Sequence, residues 1–178
     1  MTNLALLSEE QRQFQLEFFL ITDDVIHKIR RLKPKLMSYA KSALENLFSH
    51  LDYDPDVSYY FATAENIHYL RAGMLAHCDI VFSARYDDAY YLAVDQIGMR
   101  HSKLDYPSHA YSAAYSNMLA SIINLALTDK KPLRAEDLAS LSRISVYDME
   151  LTMSSFFRHQ LEKQAALSAD SGKIQHLL

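Results

Sequence analysis

The stretch QIGMRHSKLDYPSHAYSAAY, residues 96–115, decides how this chain is read. Val94, Ile97, Gly98, His101 and Leu104 recur at intervals of three, four and seven, so His101 falls on the apolar stripe of a helix that Pro107 brings to an end. An imidazole on such a stripe is either a core side chain satisfied by a carbonyl or a metal ligand. Gly98 stands one turn before it. A glycine in a helix interior costs about 1 kcal/mol relative to alanine, so its presence asks for a reason, such as the close approach of a flat ligand.

Working outward, residues 65–83 form a second helical stripe, with Ile67, Leu70, Met74, His77 or Cys78, and Val81 on one face and Gly73 beside Leu70 and Met74. A plain core helix explains the apolar positions and leaves the glycine over. Two glycine-bearing faces could sandwich a planar ligand. Glu65-x-x-His68 matches half of a di-iron carboxylate bundle, but no second pair completes it, and Glu65 suits the first turn of a helix for its charge. No glycine-rich phosphate loop, Gly-x-Ser-x-Gly elbow or His-Glu-x-x-His motif is found.

Composition narrows the setting. The chain has 178 residues, 49% hydrophobic, with three glycines and four prolines, which favours one domain of long helices over a turn-rich β protein. A formal net charge of −4 without a basic stripe argues against nucleic acid. The lone Cys78 allows neither an intrachain disulfide nor a cysteine-built metal site, so a reducing cytoplasm fits. No apolar run reaches the roughly 18 residues that a membrane span needs. Helices are expected near 8–20, 22–31, 34–51, 55–61, 65–83, 87–103, 107–128 and 135–167, all-α, with residues 168–178 as a polar tail or linker.

The last two helices carry more apolar surface than one partner covers. Residues 107–128 show Tyr111, Tyr115, Met118, Ile122 and Leu125 on one line and Leu119, Ile123 and Leu127 on another. The final helix has Leu141, Ile144, Asp148 and Leu151 on one line, with Val146, Met149, Met153 and Phe156 on a second. Such doubly apolar helices point to a homodimer, complete burial in one chain being the alternative.

Ile97-Gly98-x-x-His101, followed by Pro107, Tyr111 and Tyr115, resembles the proximal signature of bacterial globin-coupled sensors. The resemblance runs from Leu32-x-Pro34 through Leu47-Phe48-x-x-Leu51, Phe61, Tyr69-Leu70, Phe82 and Asp87-Asp88, and Asp148 is similar to an aspartate these sensors carry in their last helix. It implies a globin fold over residues 1–167, with an extra N-terminal helix and a shortened or absent D helix. It also implies haem b held by His101 as the proximal iron ligand, beside Ile97 and Gly98. Tyr111 would be the proximal tyrosine, Phe61 the residue on the haem edge, and Leu70, Gly73 and Met74 distal residues. The chain departs from the family where a Phe-Tyr pair is usual: Leu47-Phe48 stands there, so the tyrosine that donates to bound oxygen is replaced by Phe48.

The function expected is a non-enzymatic gas sensor for oxygen, with CO and NO as further ligands, passing its state through the last two helices to a signalling output. A haem-less globin-fold interaction module is the alternative from another class. A peroxidatic enzyme would want a distal acid–base group that Phe48, Leu70 and Gly73 do not supply.

Overall fold

The computed structural model describes residues 4, 7–51, 64–104 and 107–175, which among themselves form six helices and no strand. They are α1 (Glu9–Phe18), α2 (Asp23–Leu51), α3 (Ala64–Ser83), α4 (Asp88–Lys103), α5 (Ser108–Thr128) and α6 (Ala135–Gln175). The all-α expectation holds. The short helix expected near 55–61, and Phe61 with it, lies outside the described residues.

Two boundaries are corrected. α2 runs unbroken through Pro34, where a break between 31 and 34 was expected. Proline removes one backbone donor and crowds the carbonyl four residues earlier. Here its ring is exposed, while Val25, Ile29, Leu36, Ala40, Ala43, Leu44 and Leu47 keep one buried face on both sides of it. Burying each larger aliphatic side chain contributes roughly 1.5–3 kcal/mol, which together outweighs the proline's cost of about 3 kcal/mol. α6 likewise continues past Leu167 to Gln175, because the first glycine after that point is Gly172 and no proline follows.

α2 crosses both α3 and α5, α4 lies along α6, and α3 and α4 touch only sparingly. The core between them holds Ile29, Leu36 and Leu44 from α2, Tyr91 and Val94 from α4, and Leu141, Ile144 and Leu151 from α6, all essentially inaccessible. α1 begins at a capping box in which Ser8 and Gln11 exchange side-chain and backbone hydrogen bonds. It rests on the bundle through Arg12, which pairs with Asp88 at 2.5 Å and lies over the Tyr91 ring, and through Phe19 against Tyr147.

Candidate functional site

The path of α4 is set by the turn before it. Ala84 and Tyr86 both take left-handed backbone (φ 45° and 50°), a conformation that costs a non-glycine residue about 1 kcal/mol or more. Arg30 of α2 holds the turn, its Nε donating to the Ser83 carbonyl at 3.1 Å and its terminal nitrogen to the Ala84 carbonyl at 2.8 Å. Asp87 then caps α4 by accepting from the Tyr90 amide.

One face of α4 is fastened to α6. Tyr90, Tyr91, Val94, Gly98 and Ser102 are buried. Asp95 accepts from Ser155 Oγ at 2.7 Å and from Arg158 at 2.5 Å, and Gln160 donates to the Ser102 carbonyl. A Cβ on Gly98 would lie 2.6 Å from Ser155 Cβ and 2.8 Å from the Phe156 amide nitrogen. The close approach that Gly98 permits is made by the Ser155 side chain and the α6 backbone at Phe156.

Ile97 and His101, on the other face of α4, are half-buried. His101 Nδ1 lies 2.9 Å from the Ile97 carbonyl, which can only accept, so this nitrogen carries the proton and the lone pair resides on Nε2. Burial holds the imidazole below its ordinary pKa of 6.5, so at neutral pH it is a neutral base. Tyr111 of α5 presents its ring to His101 edge-on at 4.9 Å between centroids, its hydroxyl pushed far above the ordinary phenol range by burial. Behind the imidazole, Ser108, Tyr111, Thr152, Met153 and Phe156 enclose a cavity of about 10 Å³, space for about one water.

On α3, Leu70 and Met74 are half-buried against the edge of the core, and Gly73 is exposed with nothing within 4 Å of where its Cβ would be. Phe48 is buried under the Arg71 guanidinium, 5.0 Å from its ring, and Arg71 pairs with Glu45 at 2.7 Å. His68 is exposed, and among the described residues no three His, Cys, Asp or Glu side chains gather to hold a metal ion.

Reading the sequence did not anticipate the polar centre of the bundle. Asp148 of α6, fully buried, accepts from His77 Nε2 of α3 at 2.7 Å, Tyr90 of α4 at 3.0 Å and Tyr115 of α5 at 3.1 Å. The signal was present in the sequence, since a carboxylate on the apolar line of Leu141, Ile144 and Leu151 must bring its own donors. Cys78, next to His77, is a half-buried thiol pushed up to about 12 by desolvation and the Asp148 charge, which disfavours the nucleophilic thiolate.

On the His101 side these residues fit a haem. A neutral imidazole whose Nδ1 is fixed by a carbonyl is the form that ligates iron, and a single donor suffices when a macrocycle brings the other ligands. On α3, Leu70 and Met74 are apolar and incompletely buried, and Gly73 has open space beside it.

Among curated proteins none matches the chain. The globin domain of the Geobacter sulfurreducens globin-coupled sensor superposes with a TM-score of 0.70 over 81% of this chain and 96% of that domain, at 16% identity, which establishes a globin-like fold. No helix among the described residues is long and apolar enough to cross a membrane. The family model of the protoglobins matches residues 8–162, nearly the whole bundle just described, and the chain belongs to the protoglobin family.

Proposed function

We propose that the chain is a haem-binding gas sensor domain in which His101 holds haem b, with oxygen as the ligand sensed and CO and NO as further ligands. The observation that carries the reading is the state of His101: neutral, half-buried, with Nδ1–H on the Ile97 carbonyl and Tyr111 against its edge. Bound haem supplies a ferrous centre that takes up a diatomic gas reversibly. Ile97 orients the imidazole, and Tyr111 fixes its tilt. Leu70, Gly73 and Met74 line the opposite wall. Phe48 has no hydroxyl to donate, so this position contributes packing and not a hydrogen bond to a gas.

The signal is passed to α6, since the helix that carries His101 is fastened to it through Asp95, Gly98 and Ser102. Residues 1–167 act as the sensor, and the remainder of α6 connects to a signalling output. The domain works as a homodimer through α5 and α6, where Leu127, Val146, Phe157 and Leu161 stay 42–53% exposed. It carries no catalytic group of its own.

A second reading rests on one observation. The enclosed space beside His101 is about 10 Å³, against roughly 300 Å³ or more for an ordinary cofactor pocket, as a haem-less interaction module would have it. The absorption spectrum of the purified chain, ferric and ferrous, with and without CO, separates the two. One haem per chain in the wild type, lost in His101→Ala and kept in His68→Ala, is the expected outcome. A wild-type chain that takes up no haem on reconstitution sinks the sensor reading.

A further inference from the structure

His77 and Asp148 are not explained by haem ligation. Asp148 is the meeting point of four helices, taking one donor each from α3, α4 and α5 while standing on α6. Of its three donors only His77 can carry a charge. The Nε2 of His77 is committed to Asp148, whereas its Nδ1 is buried and has no hydrogen-bond partner among the described residues. The proton that distinguishes the charged ring from the neutral one is therefore the proton on Nδ1, and its gain or loss leaves the contact with Asp148 in place.

We infer that the His77–Asp148 contact is a proton-linked latch between α3 and α6. With the proton on, the two helices are joined by a buried ion pair. With it off, a neutral imidazole donates to a carboxylate that is then the uncompensated charge of the core, and the α3–α6 contact is weaker.

The groups around the His77–Asp148 pair agree with this. Beside His77 on α3 is the Cys78 thiol, and in the turn before α4 is the Tyr86 hydroxyl; both are held neutral. α4 contributes Tyr90 and the neutral His101, and α5 contributes Tyr111 and Tyr115, whose hydroxyls burial keeps protonated. Asp148 on α6 is the charge that acts on His77. Burial pulls the imidazole toward neutrality, but the carboxylate outweighs it by charge and hydrogen bond, and His77 titrates above the ordinary 6.5. A pKa raised on folding stabilises fully below the unfolded value, and that contribution is lost as pH rises through the folded one.

The latch is built from this chain's own residues, so it is tested on the full chain without haem. Side-chain nitrogen–proton spectra across the near-neutral range follow the His77 ring, and methyl spectra follow Leu75 on α3 and Leu151 on α6. The expected result is a His77 midpoint above 6.5 in the wild type, both methyls moving with it, and flat methyl profiles in His77→Gln. In Asp148→Asn the midpoint falls below 6.5, because burial then acts alone. If that variant does not fold, the comparison of wild type with His77→Gln decides. A wild-type midpoint at or below 6.5, or a Leu151 methyl that ignores the titration, overturns the proposal.

Discussion

Two glycines on facing helices have opposite surroundings, and substituting each separates packing from ligand space. A Cβ at Gly98 would press on Ser155 and on the backbone of α6, which cannot yield as a flexible side chain does. Overpacking of this kind costs about 1–3 kcal/mol, more than the roughly 1 kcal/mol an alanine gains in a helix. Gly98→Ala should therefore lower the denaturation midpoint with or without haem. Gly73 has open space beside it, so Gly73→Ala should raise the stability of the haem-free chain by about 0.5–1 kcal/mol. If Gly73 lines the haem, the same methyl should weaken haem retention; urea titrations and haem transfer to apomyoglobin measure the two effects separately. His101 was legible in the sequence because a polar side chain on an apolar stripe stands out. The reason for Gly98 was not, because a bare helix face looks the same whether a ligand or a neighbouring helix fills it.

At the scale of the element, α2 makes the clearest forecast. Pro34 lies on its exposed side within a continuous helix, so Pro34→Ala restores a backbone donor to the carbonyl of residue 30 without disturbing the buried face. The expected gain is about 1–3 kcal/mol in chemical denaturation, with the helical circular dichroism rising and not falling. An unchanged or lower stability would mean that the helix bends at Pro34 in solution. Proline read as punctuation misled the sequence analysis here, although it served well at Pro107, which precedes α5. The difference is tertiary: the buried positions Ile29 and Leu36 flank Pro34 seven residues apart, so the core imposes one helix on a sequence whose local chemistry favours two. Asp148 shows the same limit. Its place on the apolar line was visible, but its donors come from three other helices, and no single-chain periodicity records which hydroxyls a fold brings together.

For the whole molecule, the apolar surface left on the last two helices decides the association state. Phe156 and Met153, on the line expected to face a partner, are instead taken up in the wall behind His101. Leu127, Val146, Phe157, Leu161 and Leu167 are among the side chains that remain outside. Val146→Glu combined with Leu161→Glu should convert a dimer to a monomer in sedimentation at micromolar concentration while leaving the thermal midpoint of the monomer nearly unchanged, since neither position is in the core. A wild-type chain already monomeric there would refute the dimer. α6 has 41 residues, which at 1.5 Å per residue makes a rod of about 60 Å. Gly98 bears on it at Ser155 and Gln160 donates to the Ser102 carbonyl, leaving roughly 20 Å of helix between the second contact and Gln175. Residues 161–168 are exposed. In the sensor proposed above, α6 would act as a lever with its fulcrum beside the histidine: a tilt of about 5° at Gln160 carries the far end through roughly 2 Å, enough to change how two such rods lie against each other.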